Sequence, residues 1–234
     1  MAQSFPLALD LGTRTGNFRR ALGEAPAAAQ RLGTLVEADL ARPLLPRDSR
    51  HGVVADEERL PFASGRFSLV VSVLALHAVN DLPGALVQIR RTLAPGGVFL
   101  AALFGEETLT ELRQALAEAE SEVEGGLSPR VSPFATLADA GALLQRAGFA
   151  EPVADVDRVK VRYPHALAVM RELRAMGEAN ALSERTRKPL KRVLLARACT
   201  LYEERFGAAD GRVPATFDIL YLTGWAPPEA GPKR

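Results

Sequence analysis

The first half of the chain alternates short apolar, β-branched runs with stretches whose apolar residues recur at helical spacing. Leu7–Asp10, Thr34–Asp39, Gly52–Asp56, Phe67–Val73 and Val98–Leu103 read as strands, and strands that alternate with helices predict a parallel sheet covered on both faces. Within DLPGALVQIRRTL, Leu82, Leu86, Ile89 and Leu93 share one helical stripe, and the PGG that follows is expected to end that helix before VFLAAL. This makes one βαβ unit. A helix over Leu109 to about Glu124 comes next, with Thr108 and Glu111 at capping-box spacing. GGLSPRVSPF then divides the chain into two halves with paired glycines and two prolines. Thr136 and Asp139 open a further capped helix ending at Gly148, and the alternation in VADVDRVKVRY predicts a half-buried strand. Ala166–Met176 and about Pro189–Phe206 read as helices, and VPATFDILYLTGW as the final strand. Roughly fifty residues of mainly helical chain therefore lie between strands six and seven, enough to roof a pocket. The tail after Trp225 is expected to fray.

Composition narrows the classes of function. A chain of 234 residues has room for one large domain with a substantial core. With 29 Lys and Arg against 28 Asp and Glu the formal charge is +1, so no excess positive field draws in phosphate backbones, and nucleic acid is disfavoured as a partner. The single Cys199 supplies neither an internal disulfide nor a zinc cluster, which fits a reducing compartment, read as the cytoplasm. The longest apolar stretch, SLVVSVLALHAV, falls well short of the roughly 20 residues of a membrane-spanning helix. MAQSFPLALD has the features of neither a signal nor a transit peptide.

Chemistry concentrates where strands end. ALDLGTRTGNFRRAL joins an apolar strand to a helix through Gly12 and Gly16, with Asp10 at the carboxyl edge of the strand, and open α/β sheets bind ligands at that edge. Glycine there tolerates positive φ and lets backbone N–H groups approach a ligand. Taken alone, the segment suits a tight turn without a ligand equally well. Asp39 and Asp56 end the second and third strands. Each alone is compatible with capping the next turn, but three acids at three successive strand ends point to a shared crevice. A carboxylate after the second strand can accept hydrogen bonds from both ribose hydroxyls, and one after the third from an exocyclic adenine amine.

In order and spacing, DLGTRTG, ADL, VVADEERLPF and RFSLVVSVLALHAVNDLPGALVQIRRTLAPGGVFLAALFG resemble the class I S-adenosylmethionine-dependent methyltransferases over essentially the whole chain. The resemblance implies an α/β, Rossmann-like fold with a seven-stranded sheet, its last strand antiparallel, and a helical cap inserted between strands six and seven. It implies a single domain over 1–234, with a cofactor-binding core at 1–105 and a substrate-side half at 106–234 that carries the cap at about 164–212. It also implies S-adenosylmethionine as cofactor. Asp10, Gly12 and Gly16 would line its methionine end, Asp39 the ribose, and Asp56 with Glu57 the adenine, while Leu76 and His77 would face the sulfonium and substrate. FGEETLTELRQAL, EGGLSPRVSPF, VRYPHALAVMRELRAMGEANAL and VPATFDILYLTGWAP are similar to the branch containing a mitochondrial complex I assembly factor that hydroxylates an arginine of a complex I subunit. They are similar, less closely, to the malonyl-acyl-carrier-protein methyltransferases. The resemblance thus implies an S-adenosylmethionine-dependent, methyltransferase-like enzyme with a complex I subunit as partner; the alternatives are a non-catalytic complex I assembly factor and a malonyl-acyl-carrier-protein O-methyltransferase, whose partner would be an acyl-carrier protein.

Several positions depart from the family pattern. Arg14 stands where glycine is usual, Ser68 stands where an aspartate is usual, and the helical segment that usually precedes the first strand is missing, which leaves the expected pocket more open. His77 is the candidate catalytic base, with packing under the next helix as its alternative. Three scattered histidines offer no iron or other metal cluster. On the substrate side, Arg130 between prolines suits either a clamp for a substrate or a solvated loop cation. Glu178 lies in the segment expected to roof the site, and with Glu106 and Glu107 it would supply the carboxylates that a guanidinium substrate requires. Arg185, Arg187, Lys188, Lys191 and Arg192 form the single basic cluster suited to an acidic carrier, though such runs more often face solvent.

Overall fold

Leu69, Val70 and Val71 are buried in succession although their side chains alternate in direction, so the strand that carries them is covered on both faces. In the computed structural model, which describes residues 3–126, 134–178 and 190–228, it is the fourth strand of a sheet. The elements run β1 (Phe5–Leu11), α1 (Asn17–Glu24), α2 (Pro26–Ala29), β2 (Leu32–Asp39), β3 (Gly52–Val54), β4 (Phe67–Val73), α3 (Leu82–Thr92), β5 (Leu93–Phe104), α4 (Thr110–Glu124), α5 (Leu137–Arg146), β6 (Ala150–Tyr163), α6 (Ala166–Met176), α7 (Arg192–Phe206) and β7 (Val213–Trp225). The seven strands lie in the order β3-β2-β1-β4-β5-β7-β6. Pairings among β1 to β5 are parallel. The N–H of Gly96 donates to Ala226 O at one end of β5 and that of Gly105 to Asp218 O at the other, so β7 runs antiparallel to β5. The order reverses between β1 and β4, and this is the switch point where open α/β sheets take their ligands.

Two compact units divide the chain. The first comprises residues up to Leu103, Thr136–Val156 and Leu220 onward, and the second Phe104–Ala135 with Asp157–Ile219. The halves expected at 1–105 and 106–234 are therefore interleaved, because α5, the start of β6 and the end of β7 return to the first unit. The larger core cluster of the first unit packs Leu9, Val70, Phe99, Ile89, Leu144 and Leu220, and a smaller cluster holds Ala8, Leu69, Val71 and Val98. Neighbouring residues of β1 and β4 thus enter different clusters, as a period of two requires. In the second unit α4 packs on α7. Arg197 meets Glu122 at 2.6 Å, Lys191 meets Glu124 at 3.0 Å and Arg205 pairs with Glu118 along that seam.

The structure corrects the sequence reading in four places. Strand three ends at Val54, short of Asp56. PGG does not separate α3 from β5, since β5 begins at Leu93 and the glycines form an irregularity within it. There Gly96 has φ +73°, and a Cβ on Gly97 would stand 2.8 Å from Ala94 O. Thr108 and Glu111 form no capping box, and Leu109 occupies the N-cap of α4 with no side-chain cap. Strand β7 recruits both: Thr108 Oγ1 accepts the Asp218 N–H at 3.0 Å, and Glu111 Oε2 accepts the Thr216 N–H at 3.0 Å. Finally, β6 is a sheet edge rather than a half-buried strand, with Val153, Val156 and Val159 exposed. The Thr136 cap of α5 does form, its Oγ1 accepting the Asp139 N–H at 3.0 Å, and α6 has the bounds expected of it. The start of the following helix at Pro189 and the tail from residue 229 fall outside the described residues.

Candidate functional site

At the end of β1 the chain enters a run of left-handed residues: Gly12 (φ +70°), Arg14 (+40°), Thr15 (+70°) and Gly16 (+76°). Glycine is required at position 12. A Cβ there would lie 2.2 Å from Ala75 Cβ, which follows β4 across the switch point. Leu74 at φ +51° makes the turn that presents Ala75. The N–H groups of Gly12 and Thr13 donate to Ala38 O at 2.8 and 3.0 Å. Asp39, at the end of β2, accepts the Arg14 N–H at 3.0 Å on one oxygen and the Ala41 N–H at 2.8 Å on the other. Its carboxylate therefore holds the turn in place, and both oxygens keep lone pairs for a ligand.

Acids gather beneath and beside this turn. Asp10 is 1% exposed and accepts the Thr13 hydroxyl at 2.7 Å. Burial, aided by the charges of Glu37 and Asp39, pushes its carboxyl up to about 6 against the opposing Thr13 bond and Arg19. Glu57 is also raised, first by burial and then by Asp39 and Asp56, with Arg14 opposing. Its Oε1 lies 3.3 Å from the Cβ position of Gly12. Glu37 is buried under Gly16, and Arg19 Nε stands 3.3 Å from its Oε1, an ion pair that lacks the angle of a hydrogen bond. Arg19 also reaches Asp48 at 2.7 Å. The sequence reading missed Glu37, although its place two residues before Asp39 on β2 puts both on the same side of the strand.

The expected site residues fare differently. Asp10, Gly12, Gly16, Asp39 and Glu57 come together at the carboxyl ends of β1 and β2. Asp56 is half-buried, and its Oδ1 accepts the Glu58 N–H at 2.8 Å, the capping role weighed as its alternative. Glu58, also missed, accepts the Asn80 N–H at 2.5 Å and so ties the loop after β3 to the loop after β4. Leu76 has its side chain in the apolar core at 1% exposure, so contact with a ligand falls to its backbone. His77 is half-buried in the 3-10 turn that follows β4. Ser68 joins β4 to β1 by donating to Leu7 O at 2.9 Å. In the second unit Glu178 follows α6, its N–H bonded to Leu173 O at 2.9 Å. Arg130, Arg185, Arg187 and Lys188 lie outside the described residues. Among the described residues no group of three or more His, Cys, Asp or Glu is arranged to hold a metal, and no helix is long and apolar enough to cross a membrane.

A sheet of this order, with a glycine turn and acids at its switch point, defines an α/β protein that binds a nucleoside-bearing cofactor. The methyltransferase domain family matches residues 9–101. The chain is 43% identical over 233 residues to the protein named arginine-hydroxylase NDUFAF5, mitochondrial, of Danio rerio, covering 100% of this chain and 72% of the relative. For the Homo sapiens protein of that name the identity is 44% over 228 residues, and the match spans 95% of this chain and 64% of the relative, slightly under two thirds of its length. A malonyl-[acyl-carrier protein] O-methyltransferase of Methylovorus is 36% identical over 229 residues, covering 94% and 75%. In fold the chain resembles the YcgJ protein of Bacillus subtilis, with a TM-score of 0.64 at 12% identity over 98% of this chain and 94% of that one. The chain belongs to the S-adenosylmethionine-dependent methyltransferase superfamily.

The residues present fit that cofactor. S-adenosylmethionine carries an ammonium and a sulfonium, and the turn is surrounded by Asp10, Asp39 and Glu57, two of them with carboxyls raised by burial and by other acids. A cation relieves such a cluster. Gly12 packs so tightly on Ala75 that no Cβ fits there, which brings the turn after β1 directly against the residue after β4 at the switch point.

Proposed function

We propose that this enzyme modifies an arginine side chain of a protein partner, a respiratory complex I subunit, with S-adenosylmethionine held by the first unit. The observation that carries this reading is the 43% identity to a protein named arginine-hydroxylase across all 233 matched residues, against 36% for the carrier-protein methyltransferase. Asp39 accepts the ribose hydroxyls, Asp10 faces the methionine ammonium, Gly12 and Gly16 let the backbone approach, and Asp56 with Glu57 lies on the adenine side. The bound cofactor supplies a methyl already activated on a sulfonium. The protein's task is to orient the guanidinium nitrogen in line with that methyl and to remove its proton, for which His77, in the unit that holds the cofactor, is the candidate. The protein resides in a reducing compartment, the cytoplasm in our reading, as its single Cys199 fits.

Two measurements test this. Calorimetry with S-adenosylmethionine should show binding that Asp39→Ala weakens by about 1.5–3 kcal/mol, the scale of a lost charged hydrogen bond. A chain that binds no cofactor is instead the non-catalytic assembly factor. Peptide mass spectrometry of complex I subunits, from cells with and without the gene, should show a single arginine that loses one modification. A missing methyl identifies methyl transfer, and a missing oxygen identifies the reaction in the relatives' name. Unchanged arginines with failed biotin synthesis would replace this reading with methylation of a carrier-bound malonyl group. That alternative needs a basic rim, and of the described cations Lys191 is already paired with Glu124 at 3.0 Å.

A further inference from the structure

Glu57 belongs to the loop after β3, two strands away from β1, yet its carboxylate lies over Gly12, where β1 and β4 part. The same position on Gly12 is 2.2 Å from Ala75 Cβ, so Glu57 reaches the switch point itself and is not confined to the outer side of the crevice. Asp39 and Asp56 act on it with like charge, and Arg14 with opposite charge. Arg14 is held close by its backbone, whose N–H is bound to Asp39 at 3.0 Å. Glu57 thus brings a carboxylate to the switch point, and the opposite charge of Arg14 acts on it.

We propose that Glu57 makes the site discriminate by charge between S-adenosylmethionine and S-adenosylhomocysteine, and that Arg14 moderates the discrimination. The two ligands share adenosine, carboxylate and ammonium, and differ by one methyl and the positive charge it places on sulfur. Hydrogen bonds to the shared groups hold both alike. A carboxylate at the switch point acts through space on the differing charge, in surroundings where burial has already made ionisation costly. It favours the cofactor and speeds exchange of the demethylated form, while the opposite charge of Arg14 acting on Glu57 reduces both effects. The inference rests on the cofactor reading above.

The test is calorimetric titration of the whole chain with S-adenosylmethionine and, separately, S-adenosylhomocysteine, expressed as the ratio of the two dissociation constants. Glu57→Gln keeps size and removes charge. It should lower the preference for S-adenosylmethionine over S-adenosylhomocysteine about five- to tenfold, beyond any loss the two ligands share through their common adenosine. Arg14→Gly should move the ratio the other way, and it decides the matter if Glu57→Gln fails to fold. Equal weakening of both ligands, or an unmoved ratio in the folded variants, overturns the proposal, because a residue that only shapes the loop alters both affinities together. If the unaltered chain takes up neither ligand, the cofactor reading has failed, and it fails before either variant is measured.

Discussion

Asp10 is a buried acid whose ionisation costs the fold. Its carboxyl is raised from 3.8 to about 6, so between those values the native chain keeps a proton that the unfolded chain releases. Stability therefore falls as pH rises through this interval, and the full cost remains at neutral pH. Asp10→Asn should remove that slope and stabilise the chain by about 3 kcal/mol at pH 7, while weakening S-adenosylmethionine binding. Urea melts between pH 4 and pH 7 would show it, and an unchanged slope would place the buried charge elsewhere. At Arg14 the cost is in the backbone, a φ of +40° that glycine adopts freely. Arg14→Gly is expected to raise unfolding free energy by about 1 kcal/mol, read from the same melts. The positions of Asp10 and Asp39 at strand ends, and of Gly12 and Gly16 in the turn that follows β1, are legible in the sequence because they follow apolar runs. Glu37 and Glu58 are less so. Glu37 has one local signal, its period-two spacing from Asp39, but its partner Arg19 comes from α1, and Glu58 meets Asn80 of the loop after β4, which no local pattern encodes.

Among the elements, α4 is tied to β7 by polar groups that are buried and satisfied at once. Glu111 is 5% exposed, with its oxygens bonded to the Thr216 N–H and hydroxyl. Thr216→Val should destabilise the chain by about 2–3 kcal/mol, because the buried carboxylate loses a donor and gains no water. Adding Glu111→Leu should cost less than the sum of the single changes, which a double-mutant cycle in denaturant would measure. The capping box expected at Thr108 and Glu111 illustrates where a local reading stops. S/T-x-x-E spacing is a sound signal for a helix start, and α4 does start there, but a strand distant in sequence competes for the same side chains. The valines of β6 make the same point. Alternation marked the strand correctly, whereas its place at the sheet edge depends on strand order, which no single segment contains.

For the molecule as a whole, the fold was predictable as an α/β sheet with a helical stretch between strands six and seven, because each βα repeat announces itself in the hydrophobic pattern. The interleaving of the two units was not, since it depends on the return of α5, β6 and β7. Cofactor binding acts on the whole folded state. S-adenosylmethionine at a hundred times its dissociation constant should raise unfolding free energy by about 2.7 kcal/mol, seen as a rise in Tm. No rise in Tm at saturating ligand would contradict the site assigned here. The bonds between Thr108 and Asp218 have a further bearing, on synthesis. They join residues 110 apart in sequence. At roughly 5–20 residues per second, Thr108 and Glu111 leave the ribosome about 5–20 seconds before their partners do. During that interval the head of α4 has two polar side chains ready for a strand not yet made, and the open edge of β5 beside it is free to pair with another nascent chain. Crowded polysomes and slow codons between α4 and β7 should therefore lower the yield of folded protein more than equal delays placed within the first hundred codons.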